Sequence, residues 1–234
     1  MVIPLNLGTL VSMLIIFYRQ VQPVYIYGGH EAVAHSRPYM VFLNLTHWWC
    51  DGFLVAEDFV ITAAHCSKGN IEVVLGVHYV YEKDAQKIHV KKKFPHPDYN
   101  ITTMENDIML LKLEKKASVN DHVRIIDLPQ TRDEKAPTNC LVSGWGLCKK
   151  GEDVGCQRLQ EVNVTLVYNR KNAPGEICSE GPKSPAQGDS GGPLVCGDVA
   201  YGVVSGGVHD NNKDYAIYTN ITHYLDWIHR IMKN

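Results

Sequence analysis

From Arg37 onward the apolar residues of this chain come in short β-rich runs, separated by Gly, Pro, Asn and charged residues. The runs are Tyr39 to Leu45, Phe53 to Val55, Phe59 to Thr62, Ile71 to Leu75, Ile88 to Val90 and Ile108 to Leu113. Many short strands with such punctuation predict an antiparallel barrel or sandwich. Pro129 to Pro137 is polar and breaks the rhythm, which predicts a crossover between two halves. The second half repeats the pattern with Cys140 to Ser143, Leu159 to Val167, Pro193 to Cys196, Tyr201 to Ser205 and Ala216 to Thr219. It closes differently. After Thr222, a predicted N-cap, Leu225, Ile228, Ile231 and Met232 recur at helical spacing with Asp226 in the first turn, predicting one amphipathic C-terminal helix.

Ahead of this pattern, Met1 to about Phe17 is mostly apolar, too short and too early for a membrane span, and reads as a secretory signal peptide over residues 1–20. Its first residues carry no Lys or Arg, and Arg19 follows the apolar run, so a retained N-terminal anchor is the alternative. The 234 residues can bury a sizeable core. With 23 Lys and Arg against 25 Asp and Glu, the charge gives no reason to expect nucleic acid. Seven cysteines and sequons at Asn44, Asn100, Asn163 and Asn220 point to an oxidising, secretory route. The 11 histidines fall in no zinc spacing, so neither a metal nor any other cofactor is expected. The run Lys91-Lys92-Lys93, with Lys87, His89 and His96 nearby, is either an anion patch or a solvated face.

The candidate chemistry centres on Gly188-Asp189-Ser190-Gly191-Gly192-Pro193. A serine hydroxyl is a poor nucleophile until a base takes its proton, and an oxyanion needs backbone N–H donors beside it. Glycines on both sides of Ser190 leave those donors uncovered. By itself such a run is more often a turn. Two other stretches change that reading: Thr62-Ala63-Ala64-His65-Cys66 ends a strand-like run, and Asn106-Asp107-Ile108-Met109-Leu110-Leu111 puts a carboxylate at the head of another. Base, orienting acid and nucleophile appear in the order His, Asp, Ser.

With these motifs the sequence from about Ile26 to the C-terminus resembles the trypsin-like serine peptidases. The phrases Gly28-Gly29-His30-Glu31-Ala32, His35-Ser36-Arg37-Pro38-Tyr39-Met40, Phe94-Pro95-His96-Pro97 and Ser143-Gly144-Trp145-Gly146 narrow the resemblance to the granzyme and mast-cell chymase branch. The resemblance implies an all-β fold of two antiparallel six-stranded β-barrels with a C-terminal α-helix. A short activation peptide over 21–25 would precede a peptidase domain at 26–234, its first barrel about 26–129 and its second about 130–234. His65, Asp107 and Ser190 would be the catalytic triad, with the N–H groups of Gly188 and Ser190 as the oxyanion hole. Cutting before Ile26 would free an ammonium to pair with Asp189, although the branch usually has Ile-Ile where this chain has Ile26-Tyr27. Ser184 would form the base of the specificity pocket, walled by Ser205, Gly206, Gly207 and Ala216. With no Asp at the base and no Arg at Ala216, a chymase-like preference for Phe, Tyr, Trp or Leu follows.

The resemblance also implies disulfides Cys50 to Cys66 and Cys140 to Cys196. Cys148 with Cys156 is a plausible third pair, which leaves Cys178, whose family partner is absent from a shortened passage between Val167 and Cys178. Asp51 stands where the family commonly has glycine. Implied partners are protein or peptide substrates, with serine-protease inhibitors and sulfated proteoglycans as further possibilities. The protein would be a secreted or granule-stored monomer made as a zymogen. A catalytically inactive homologue acting as a binding protein is the rival reading.

Overall fold

The computed structural model describes residues 26–148, 154–167, 175–210 and 212–233. The expected signal and activation peptides, and most of the shortened passage before Cys178, lie outside the described residues. The first barrel comprises β2 (Met40–Leu45), β3 (Trp49–Ala56), β4 (Phe59–Thr62), β5 (Ile71–Leu75), β6 (Gln86–Pro95) and β7 (Met109–Leu113). It closes in the order β2-β3-β4-β7-β6-β5 with antiparallel pairing throughout. Phe53, Ile61, Leu43, Val73, Leu75 and Leu110 are buried in its core, the alternation of each strand turning these side chains inward.

The second barrel comprises β8 (Asn139–Gly144), β9 (Gln160–Val167), β10 (Glu176–Glu180), β11 (Pro193–Cys196), β12 (Val199–Asp210) and β13 (Lys213–Asn220). These run β9-β10-β13-β12-β11-β8, and β8 pairs back with β9 to close the ring. The short β1 (His30–Glu31) adds to the outside of β9. Val142, Val162, Leu194 and Tyr218 form the core here, together with Ile26 from the far end of the chain. All-β architecture, two six-stranded barrels and a terminal helix therefore agree with the expected fold.

The boundaries differ in instructive ways. β6 is 10 residues long rather than three, because Lys87, His89 and Lys91 are exposed positions on a strand that continues through a bulge at Val90 to Lys92. The helix α1 (Ile221–Met232) begins two residues earlier than expected. Asn220, not Thr222, is its N-cap: Asn220 Oδ1 accepts from the Thr222 N–H at 3.2 Å and from the Thr222 hydroxyl at 2.8 Å. Asp226 accordingly falls beyond the first turn. Tyr224, Leu225, Trp227 and Ile228 of this helix pack into the core cluster of the first barrel, so the last segment of the chain fastens the two halves together.

Three disulfides join Cys50 to Cys66, Cys140 to Cys196 and Cys148 to Cys156. Cys178 lies outside them, buried on β10. Among the described residues no helix is long and apolar enough to cross a membrane.

Candidate active site

His65 sits in a 3₁₀ turn, Ala64–Ser67, that leaves the end of β4. Two fixtures hold this turn. The Cys50–Cys66 disulfide ties it to β3, and the Lys93 ammonium from β6 donates to the carbonyls of Ser67, at 2.8 Å, and Gly69. One member of the Lys91 to Lys93 run is thus a structural clamp, while Lys91 and Lys92 are exposed. Burial lowers the Lys93 pKa, as expected for a partly enclosed ammonium.

Asp107 lies just before β7, fully buried. Its Oδ1 accepts from the His65 backbone N–H at 2.9 Å, and its Oδ2 lies 2.7 Å from His65 Nδ1. The Ser205 hydroxyl donates to the same Oδ2 at 2.6 Å, and the Thr219 hydroxyl donates to the Asp107 carbonyl at 2.8 Å. A carboxylate so placed fixes the proton on Nδ1 and leaves Nε2 as an acceptor facing the cleft.

Ser190 is presented by a turn that the first barrel grips from behind. The Asp51 N–H of β3 donates to the Ser190 carbonyl at 2.8 Å, so Ser190 and His65 are both referenced to the Cys50 region. Gly188 has φ of +97°, and a Cβ there would stand 2.5 Å from Trp49 Nε1, so conformation and space both demand glycine. Trp49 is itself pinned, donating from Nε1 to the Trp145 carbonyl at 3.0 Å. Among the described residues no acceptor takes the N–H of Gly188 or Ser190, whereas those of Asp189, Gly191 and Gly192 are spent on Ala186, Val204 and Asp189 carbonyls. Two donors are left beside the hydroxyl.

Two cavities meet at Ser190. One, of about 420 Å³, is lined by Ser184, Gly206, Gly207, Tyr215 and Ala216 among others. The expected pocket residues Ser184, Gly207 and Ala216 therefore converge there. Ser205 does not line it; its side chain turns to Asp107 instead. The rim also carries a feature the sequence did not reveal, an exposed His209 Nδ1 to Asp214 Oδ1 pair at 2.7 Å on the β12–β13 hairpin. The second cavity, about 560 Å³, runs past His65 and is lined by Trp48, Trp49, Tyr99 and Ile101.

Asp189 is fully buried, its Oδ1 accepting from the Gly146 N–H at 2.7 Å and its Oδ2 from the Ala186 N–H at 2.6 Å. These two N–H groups, rather than Ile26, hold it among the described contacts. Ile26 is buried in the core of the second barrel, its carbonyl accepting from Gly29, and the Ser184 N–H reaches the Tyr27 carbonyl at 3.2 Å. Burial pushes the Asp189 carboxyl above the usual carboxylate range, with the two N–H bonds opposing that shift. Asp51, equally buried and next to it, is raised by burial and then by the Asp189 charge.

Comparison with known proteins adds to this geometry. Residues 26–228 match the family model described as Trypsin. The chain is 44% identical to duodenase-1 of Bos taurus, over 89% of each chain. It is 43% identical to granzyme B of Rattus norvegicus, over 89% of this chain and 91% of that one. It is 41% identical to cathepsin G of Mus musculus, over 89% of this chain and 85% of that one.

Proposed function

This chain belongs to the trypsin family and is a serine endopeptidase, and we propose that it cleaves after aromatic or large apolar residues through Ser190, His65 and Asp107. The observation that carries the mechanism is the geometry around Asp107, whose oxygens take two donors from His65 and one from Ser205. Held that way, His65 takes the Ser190 proton at Nε2 as the hydroxyl attacks the substrate carbonyl. Asp107 offsets the charge of the imidazolium that results. The N–H groups of Gly188 and Ser190 stabilise the oxyanion, an effect of order 10²–10³-fold per donor. His65 then protonates the leaving amine, and water repeats the cycle on the acyl-enzyme.

The preference for apolar side chains rests on the lining of the 420 Å³ cavity, in which Ser184 and Ala216 offer no charge to a buried substrate group. Made as a zymogen, the protein becomes active on release of the Ile26 amino group, which pairs with Asp189. The buried seat of Ile26 in the second barrel supports this order of events. Three disulfides support a secreted or granule-stored protein matured in an oxidising compartment. The test is a panel of short peptide substrates, varied at the residue before the scissile bond, given to chain cut before Ile26. Preference for Phe, Tyr, Trp or Leu is expected; preference for Lys, Arg or Asp overturns the specificity.

A further inference from the structure

Behind the nucleophile, two carboxyl groups meet over the backbone of one glycine. A Cβ built on Gly144 would stand 2.2 Å from Asp189 Oδ1 and equally 2.2 Å from Asp51 Oδ2. Both side chains are completely buried. Asp189 has two N–H donors, from Gly146 and Ala186. Among the described residues Asp51 has one, the Trp145 N–H at 3.1 Å on Oδ2, and its buried Oδ1 has no hydrogen-bond partner. Two like charges so close, both fully buried, are very costly, and a charged carboxylate is poorly served by a single donor. A neutral acid beside a carboxylate removes the repulsion and supplies the missing donor.

We propose that Asp51 is a positioning residue for the oxyanion loop, keeping a proton at neutral pH that it donates from Oδ2 to Asp189 Oδ1. This bears on the peptidase reading above and rests on it for its catalytic consequence. Asp51 is well placed for the role, because its backbone N–H holds the Ser190 carbonyl while its side chain holds the Trp145 N–H beside Asp189. Loss of the proton to solvent on the alkaline side turns the pair into two facing charges and loosens the loop that carries Gly188 and Ser190. The other titratable groups nearby are Tyr218 of β13, His65 and, in chain cut before Ile26, the freed Ile26 ammonium, whose own alkaline loss is common to the wild type and Asp51→Asn, so that only the difference between the two profiles reports on Asp51. Burial raises the Tyr218 phenol, whose hydroxyl shares a hydrogen bond with Ser179 at 3.0 Å, so it stays neutral. His65 lies three residues after Thr62, whose hydroxyl donates to the Asp51 carbonyl.

Two measurements test this. The infrared spectrum of the folded wild-type chain at neutral pH is expected to show a protonated-carboxyl C=O band, which alkali and Asp51→Asn each remove. The rate of labelling by a fluorophosphonate probe, followed against pH on chain cut before Ile26, is expected to fall on the alkaline side. In Asp51→Asn, whose amide keeps a donor at every pH, that fall moves up by about one pH unit or more. Asp51→Ser, smaller than either, is measured beside it in case the amide does not fit. Absence of the band from the folded wild type, or coincident alkaline falls in wild type and a folded variant, overturns the inference. If the cut chain labels at no pH, the peptidase reading fails, and the infrared band alone decides whether the proton is shared.

Discussion

Two acidic centres flank the catalytic groups, and they are solved differently. Asp107, at the mouth of the first barrel, is fully buried but meets three donors, two from His65 and one from Ser205. The Asp51 and Asp189 pair, between the barrels, is as deeply buried and shares three backbone N–H groups between two carboxyls. Where donors suffice, every hydrogen bond of a buried carboxyl goes to holding its neighbours in place; where they do not, the pair retains a proton. The same residue type thus serves as an electrostatic anchor at one end of the cleft and as a proton-dependent brace at the other.

Removing the charge from the first centre has the largest expected effect. Asp107→Asn keeps the shape but offers N–H groups to His65 and forces the wrong tautomer, lowering kcat/KM on the order of 10⁴-fold, as measured by peptide turnover with folding checked by melting. Next is the loop between the centres. Gly188→Ala drives a Cβ into the Trp49 indole, 2.5 Å away at Nε1, from a φ of +97°. Displacement of the oxyanion donors should reduce kcat by roughly 10²–10³-fold with a smaller change in KM. Stripping one donor from the well-supplied centre is milder. Ser205→Ala should cost about 2 kcal/mol in denaturant unfolding and shift Asp107 towards the poorly supplied condition of Asp51.

The pH dependence of stability separates the two centres without any substitution at the first. Both members of the Asp51 and Asp189 pair are raised by burial, so the folded chain keeps protons that the unfolded chain sheds once the pH passes about 3.9. Stability contributed by the pair is therefore greatest at low pH and declines as the pH rises, by about 1.4 kcal/mol per unit for each proton retained, until the folded pKa is passed. Unfolding midpoints between pH 5 and pH 8 should show this decline in the wild type and a flatter curve in Asp51→Asn, with pH values of roughly that range chosen to straddle the transition. Equal slopes would erase the distinction between the two centres.

Much of this was legible in the sequence. Strands buried on both faces, such as Phe59–Thr62 and Ile71–Leu75, stood out because nearly every position is apolar. The apolar pattern shortens β6 because its outward face is a row of Lys and His, and it gives no sign of β10 because Cys178 and Ser179 are as buried as Ile177 without forming an apolar run. His65, Asp107 and Ser190 could be picked out as motifs, whereas the direction of Ser205 could not. A register shift between Val204 and Gly206 breaks the alternation of β12 at that point, sending the Ser205 side chain to Asp107 and leaving Gly206 and Gly207 along the cavity. Asp51 was visible as a departure from glycine, but its significance depends on long-range packing of β3 against the Gly144 to Gly146 backbone.

The most direct test of the account is labelling by a fluorophosphonate probe of three proteins: chain cut before Ile26, its Ser190→Ala variant, and the uncut chain. Labelling confined to the cut chain with Ser190 intact is the expected result and establishes a serine nucleophile switched on by release of Ile26. A folded, correctly cut chain that takes no label, or a Ser190→Ala variant that labels as well as the wild type, would contradict it.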